Sequence, residues 1–233
     1  LQPTRLPRKS AAIEPALSPT IVRRLGRVVP ANLQIDARWD AIRTARDKEK
    51  KRDKKNAASP SVMIAWSVVR AMERHAPFRR IILDDDQIIE NDEFDLGIAV
   101  ALDGDRLATA VVTHANTRDW PDFVQRYDNT VEETRGGRVD AVNAPLVISS
   151  LGAFGVRAAV PIVVPPSVGT LFVGSAHYEA IGDGKKSPPA EIITLSLTFD
   201  HRVVNGAGAA NFVHEIKEFI ESFSIPTKTL RPA

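Results

Sequence analysis

The segment TLSLTFDHRVVNGAGAANF, from Thr194 to Phe212, contains the residues best suited to acid–base chemistry. Its alternating apolar residues predict a strand that ends at Asp200-His201-Arg202, and Asn205-Gly206 predicts a tight turn before a helix. A histidine at such a strand end can project into a cleft and exchange a proton near neutral pH. Asn205 follows four residues later, close enough to return to the same site, and is also a natural helix N-cap. Taken alone, His201 fits a general base or a structural histidine.

The rest of the chain would position this segment. Its apolar residues recur with strand spacing in some parts and with helix spacing in others, which predicts an α/β fold. We expect one large sheet, helices mostly on one side of it, and one continuous core. The predicted strands are 33–37, 94–102, 107–113, 146–149, 160–164, 169–175 and 192–199, with a hairpin over 81–89. One predicted helix begins at Ser18-Pro19, and four others cover 39–55, 59–75, 117–134 and 207–223. Prolines and basic residues in 1–17 predict a linker or arm, which leaves 18–233 as one domain.

Composition narrows the class of function. The 233 residues include no cysteine, which excludes disulfides, thiolate metal sites and a cysteine nucleophile. A net charge of +2 does not suggest a nucleic-acid binder, and no apolar run is long enough to span a bilayer, so we expect neither nucleic acid nor membrane as a partner. The basic run KEKKRDKKN is interpreted as a solvated helix end, with a docking surface for an acidic partner as the alternative. The remaining histidines lack metal-ligand spacing and are interpreted as structural or surface residues: His75, His114, His177 and His214.

Several short segments, in one order from about residue 18 to 223, resemble a known family. His201-Arg-Val-Val-Asn-Gly206 before a helix of small residues is similar to its HxxxDG signature. The other matching segments are LQIDARWD (33–40), DLGIAV (95–100), VISSLGAFG (147–155) and IVVPPSVGTLFV (162–173). Together they resemble the catalytic domain of dihydrolipoamide acyltransferases, the acyltransferase components of 2-oxo acid dehydrogenase complexes.

This resemblance implies a chloramphenicol acetyltransferase-like two-layer fold, a trimer, and active sites between subunits. His201 takes the position of the general base, which removes a proton from the thiol of coenzyme A or dihydrolipoamide. Ser149 takes the position of the hydroxyl that stabilises the oxyanion, and Ser150 is the neighbouring alternative. Ser149 is preferred because Ser150 stands where the family usually has asparagine. In a trimer, one subunit would supply His201 and its neighbour Ser149.

Three further sets of residues are given expected roles. Asn205 replaces the aspartate of many members, and because an amide cannot neutralise an imidazolium, it should orient a group or help bind the oxyanion. Asp200 and Arg202 are expected to form a structural ion pair that shapes the turn. Arg23 and Arg24 are candidates for binding coenzyme A phosphates.

The chain also departs from the family pattern. The region after Arg24 is short, Ala31 replaces a histidine, and Leu107-Ala-Thr-Ala-Val111 lacks the usual proline. No segment resembles a lipoyl domain, so the lipoyl group is expected from a separate domain or protein.

The functional expectation is an acyltransferase that exchanges an acyl group between a dihydrolipoyl thiol and coenzyme A. The expected partners are further copies in a trimer or larger core, a lipoyl domain and the dehydrogenase components. The expected location is the cytoplasm, or the mitochondrial matrix in a eukaryote. Two alternatives stay open: a non-catalytic assembly core, and a free-standing coenzyme A-dependent acyltransferase for a small molecule. Acetyl, succinyl and branched-chain acyl groups are all compatible with the sequence.

Overall fold

The computed structural model describes residues 19–54, 57–84, 86–104, 106–138, 142–180 and 189–226. The expected linker 1–17 lies outside these residues. Five helices are present in the described chain: α1 Pro19–Leu25, α2 Asp40–Arg52, α3 Pro60–Arg74, α4 Trp120–Arg135 and α5 Gly206–Glu221. The strands there are β1 Pro30–Arg38, β2 Arg80–Ile82, β3 Ile88–Glu90, β4 Leu96–Leu102, β5 Arg106–Val112, β6 Leu146–Ser150, β7 Gly169–Val173, β8 His177–Glu179 and β9 Ala190–Asp200.

One mixed sheet organises the molecule, with the strand order β1-β9-β7-β6-β4-β5 and β8 paired to one end of β9. The central pairs β4–β6 and β6–β7 are parallel, while β9 runs antiparallel to both β7 and β1. Strands β2 and β3 form a separate hairpin. Because β6 and β9 run in opposite directions, their carboxyl ends lie at opposite edges of the sheet.

The hydrophobic core lies between one face of this sheet and the helices, as the sequence predicted. Most residues of helix α3 are buried, and its N-cap is Ser59, whose side chain accepts a hydrogen bond from the amide of Val62. Helix α5 packs on α3 and β1 through an apolar stripe that includes Phe212 and Ile216. The alternate residues of β9, Leu195 and Leu197 among them, meet these helices. The core therefore fixes the position of β9 and of the turn that follows it.

The predicted strand 160–164 is wrong: residues 156–164 form no ladder. Pro161 and the prolines that follow the segment offer no N–H for a ladder bond. The segment instead crosses the sheet face that the helices leave open, where Thr170 Oγ1 donates to the carbonyl oxygen of Ile162 (2.8 Å). It passes so close to Gly174 that an added Cβ there would collide with the Arg157 carbonyl oxygen. Glycine at this position allows the segment to cover the sheet.

The other predicted elements are confirmed, with boundaries shifted by a few residues. Helix α2 is shorter than predicted and ends at Arg52, and α4 begins at Trp120, after a capping Asp119. Strand β8 was not predicted, because its residues carry no apolar alternation. In the part of the chain that the structure describes, no helix has the length and apolar character needed to cross a bilayer.

Candidate active site

His201 lies on a tight turn directly after β9. The amides of Val203 and Val204 donate to the carbonyl oxygen of Asp200 (3.0 and 3.1 Å), and the amide of His201 donates to the carbonyl oxygen of Val29 (2.8 Å). The His201 side chain is exposed, and its ring centroid lies 5.6 Å from that of the buried Phe199. The turn therefore fixes the backbone of the histidine and leaves its imidazole accessible.

The predicted ion pair between Asp200 and Arg202 is confirmed. The Asp200 side chain is fully buried, and it accepts hydrogen bonds from Arg202 Nη2 (2.7 Å) and Nε (3.1 Å). Its Oδ1 also accepts from the backbone amides of Arg202 and Val29 (3.1 and 3.4 Å). These hydrogen bonds raise the pKa of the Arg202 guanidinium above its ordinary value, so it is a permanent cation. A buried carboxylate without such a partner would cost several kcal/mol, so the pair holds the turn in shape.

Asn205 is the N-cap of α5. Its Oδ1 accepts from the amide of Gly208 (2.8 Å), and its backbone oxygen accepts from the amide of Ala209 (3.0 Å). The side chain is exposed, and its Nδ2 donates to no other described residue in the structure. The capping interpretation is thus confirmed, and it leaves an amide donor near His201.

We expect Asn205→Ala to lower the free energy of unfolding by about 1 kcal/mol, because the amide of Gly208 loses its cap. Asn205→Asp keeps an acceptor at the cap and should unfold like the natural protein and retain more activity. Urea unfolding measures the first effect and an acyl-transfer assay the second. If the aspartate variant is less active than the alanine variant, the site requires an uncharged side chain at position 205.

Ser149 lies at the opposite end of the sheet from His201. The pairing of β6 with β7 and of β7 with β9 places Ser149 level with Ser196, five residues before His201. Five residues span roughly 17 Å along a strand, and two strand spacings of about 4.8 Å add a sideways separation. Proton transfer needs donor and acceptor about 3 Å apart, so Ser149 and His201 of one chain do not form one site.

The structure distinguishes Ser149 from Ser150. Ser150 Oγ donates to the carbonyl oxygen of Val173 (3.1 Å) and accepts from the amide of Gly152 (3.3 Å). Ser149 is half-buried on the opposite face of β6, and its hydroxyl bonds to no other described side chain or backbone group. Of the two serines, Ser149 is therefore the one whose hydroxyl is not engaged by the described part of the chain.

Two pockets of useful size lie elsewhere. One, of about 290 Å³, opens on the helix side of the sheet where β6 and β7 end, and Ser150 lines it together with Trp39 and Ile64. The other, of about 440 Å³, lies between α2 and α4 and is lined by Glu49 and Trp120. Neither of these two pockets is lined by His201, Asn205 or Ser149.

The arginines proposed for phosphate binding lie at the His201 end. Arg24 donates to Asp84 Oδ2 (2.8 Å), while Arg23 is exposed and bonds to no other described residue. Arg27, which the sequence analysis did not single out, donates to the backbone oxygen of Asp84 (2.8 Å). Asp84 and Asp86 lie at the tip of the β2–β3 hairpin, which the sequence predicted over 81–89 without indicating that its acidic residues would meet arginines. Arg24 is thus already paired, and Arg23 is the freer candidate.

The other histidines are assigned structural or surface roles from the sequence. Among the described residues, no three histidine, aspartate or glutamate side chains approach closely enough to hold a metal ion. His75 instead contacts Glu215 (2.6 Å), and His177 contacts the backbone oxygen of Ser175 (3.1 Å). These contacts fit the structural interpretation of both histidines.

Comparison with known proteins places these features in context. A family model described as 2-oxoacid dehydrogenases acyltransferase (catalytic domain) matches residues 20–226. The acetyltransferase component of the acetoin cleaving system of Bacillus subtilis is 32% identical over 161 residues, which cover 68% of this chain and 40% of that protein. The acetyltransferase component of the Haemophilus influenzae pyruvate dehydrogenase complex is 31% identical over 66% of this chain and 28% of that protein. The chain thus spans less than half the length of these curated relatives.

Solved structures share the fold. A probable dihydrolipoamide acetyltransferase of Listeria monocytogenes superposes with a TM-score of 0.79 at 19% identity, covering 95% of this chain and 99% of that chain. The dihydrolipoamide acetyltransferase of Azotobacter vinelandii gives 0.76 at 24% identity, covering 94% and 97%. A chloramphenicol acetyltransferase gives 0.55 at 14% identity, covering 90% and 99%. The expected two-layer fold is therefore confirmed.

Proposed function

Because the chain belongs to the family of 2-oxoacid dehydrogenase acyltransferase catalytic domains, we propose that it transfers an acyl group between a dihydrolipoyl thiol and coenzyme A. One structural observation carries the proposal. The imidazole of His201 is exposed on a turn whose neighbouring polar groups are already engaged, Asp200 with Arg202 and Asn205 with Gly208. His201 is thus the group at this turn that remains able to accept a proton from a substrate.

The proposed reaction needs a base and an oxyanion donor. His201 accepts the proton of the attacking thiol, and the thiolate adds to the thioester carbonyl carbon. The Ser149 hydroxyl donates a hydrogen bond to the oxygen that becomes negative in the tetrahedral intermediate. When this intermediate collapses, the leaving thiolate recovers the proton from the His201 imidazolium. In this proposal the amide Nδ2 of Asn205 orients a reacting group or helps to stabilise the oxyanion.

Residue spacing supports these roles. The structure of the Azotobacter vinelandii enzyme was solved in work on the role of a serine, a histidine and an asparagine in its catalytic mechanism. That serine precedes the histidine by 52 residues and the asparagine follows it by four. Ser149, His201 and Asn205 have the same spacing in this chain.

The separation of Ser149 from His201 favours a site shared between copies. The two residues lie on different surfaces of one chain, so the contact that joins them is head-to-tail, and such contacts form a ring when the rotation between copies closes. Exposed apolar side chains lie at both surfaces: Leu151, Phe154, Val160 and Ile162 in the chain that follows Ser149, and Val22 and Val29 towards the His201 turn. A homotrimer, which further contacts could build into a larger core, would cover them. One structural neighbour, at 25% identity and a TM-score of 0.76, is the cubic core of a pyruvate dehydrogenase multienzyme complex.

The substrates and partners follow from the same proposal. The lipoyl group would arrive on a separate domain or protein, and the dehydrogenase components would supply the acyl group. Arg23, and Arg24 if it leaves Asp84, are cations near the His201 turn that could meet coenzyme A phosphates. The relatives include an acetyltransferase and a succinyltransferase, so both acyl groups belong in the assay. The cytoplasm, or the mitochondrial matrix in a eukaryote, is the proposed location.

The test is thioester exchange with acetyl-, succinyl- and branched-chain acyl-coenzyme A, each with free dihydrolipoamide. We expect S-acyl-dihydrolipoamide to form with at least one donor, at a rate proportional to enzyme, and mass spectrometry identifies the product. A folded oligomer without turnover would instead support a scaffold that builds the core. Transfer to a small hydroxyl or amine, but not to dihydrolipoamide, would favour a free-standing acyltransferase.

A further inference from the structure

The tip of the β2–β3 hairpin contacts the turn that carries His201. Asp86 Oδ1 accepts a hydrogen bond from Arg202 Nη1 (3.2 Å), and its other oxygen lies 3.8 Å from Arg27 Nη1. The hairpin lies more than a hundred residues before His201 in the chain, so this contact is a tertiary one. It joins an element outside the main sheet to the candidate base.

Arg202 divides its nitrogens between two carboxylates. Nε and Nη2 hold the buried Asp200, and Nη1 reaches outward to Asp86. A guanidinium is planar and rigid, so fixing its outer nitrogen limits the tilt of the whole group. The Asp200 carboxylate also accepts a hydrogen bond from the backbone amide of Arg202. The backbone carbonyl oxygen of Asp200 accepts the hydrogen bonds from Val203 and Val204 that close the turn. These hydrogen bonds link Asp86, through Arg202 and Asp200, to the turn that carries His201.

From this chain of contacts, and resting on the proposed function, we propose that Asp86 is a positioning residue that sets the orientation of His201 through Arg202. It touches no substrate in this proposal. Its effect is on the geometry of proton transfer, where small displacements of the base have large effects on rate.

Asp86 has a local conformation suited to this role and to its test. Its φ of 64° lies in the left-handed region, which asparagine and aspartate adopt more readily than most other residues. Asp86→Asn therefore removes the charge without straining the backbone. Exposed ion pairs of this kind add little to stability, and the Asp86 side chain is 59% exposed, so the variant should fold normally.

Asp84 provides the matched control. It lies two residues away at the same hairpin tip and pairs with Arg24 rather than Arg202. Asp84→Asn removes one exposed carboxylate from the hairpin and leaves the contact with the His201 turn in place. A general effect of charge at the hairpin would appear equally in both variants.

The kinetic experiment compares the two variants in the full chain. We expect Asp86→Asn to lower kcat by roughly fivefold to tenfold, as a small misplacement of the base would. KM for dihydrolipoamide and for acetyl-coenzyme A should stay unchanged, and Asp84→Asn should keep the natural kcat. Arg202→Lys keeps the positive charge but removes the planar guanidinium that bonds both carboxylates. In this background, Asp86→Asn should cause no further loss of kcat.

Hydrogen exchange supplies a readout that does not depend on activity. The amides of Val203 and Val204 are bonded within the turn, and the amide of His201 is bonded to Val29, so a loosened turn exchanges all three faster. We expect faster exchange in peptides covering 199–205 for Asp86→Asn and unchanged exchange for Asp84→Asn. If the natural protein transfers no acyl group, the proposed function fails, and the exchange result still shows whether Asp86 restrains the turn.

Three kinetic results would overturn the proposal: equal effects of Asp86→Asn and Asp84→Asn on kcat, a fully additive loss of kcat in the Arg202→Lys background, or a change in KM alone. Unchanged exchange in 199–205 for Asp86→Asn would do the same.

Discussion

Replacing His201 with alanine should lower kcat for acyl transfer by about 1000-fold, because the attacking thiol loses the group that accepts its proton. His201 is exposed and its backbone amide keeps the bond to Val29, so the variant should fold and assemble normally. Steady-state rates with acetyl-coenzyme A and dihydrolipoamide measure the effect, and KM should change little, since the imidazole is needed mainly in the transition state.

His214 is the matched control for that experiment. It is an exposed histidine on α5, 3.5 Å from Glu218, and it lies away from the turn. His214→Ala should retain the natural rate. A His201→Ala variant within threefold of the natural rate would show that another group is the base.

Ser149→Ala should lower kcat by roughly 100- to 1000-fold, because the developing oxyanion loses a preorganised donor. Ser150→Ala is the control at the same strand end. Its hydroxyl bonds to Val173 and Gly152 within the chain, so its loss should reduce stability by about 1 kcal/mol and leave the chemistry nearly intact. Equal rate losses for the two serines would remove the distinction between them.

Mixing the two inactive variants tests whether the site is shared. If each site takes His201 from one chain and Ser149 from the next, random mixing of His201→Ala and Ser149→Ala chains in equal amounts rebuilds about one site in four. The mixture, unfolded and refolded together, should recover about a quarter of the natural activity. No recovery, with mixed oligomers verified by mass spectrometry, would place both residues in one chain's site.

Local patterns were sufficient for most of the fold. The period of the apolar residues located α3, α5 and β9, because these elements bury one regular stripe or face against the core. The same rule failed for 160–164, where β-branched residues look strand-like but prolines and a crossing over Gly174 decide the path. Strand β8 escaped notice because its pairing to β9, and not its own composition, makes it a strand.

The candidate site was only half predictable. His201 and Asn205 lie beside a glycine turn in one short segment, so their separation of four residues predicts that they are close in space. The distance from Ser149 depends on strand order and register, which no local pattern encodes. The contact between Asp86 and Arg202 joins elements far apart in sequence, and the acidic run gave no indication of which cation it would meet.

The register that sets Ser149 five residues short of His201 has a consequence for how activity would depend on protein concentration. If each site takes His201 from one chain and Ser149 from the next in a ring, as proposed, a single folded chain would hold both residues and yet be inactive. Specific activity would rise as chains associate, so dilution below the dissociation constant of the ring would switch the enzyme off without unfolding it. The measured turnover rate would then depend on the fraction of assembled chains as well as on the rate of the chemical step.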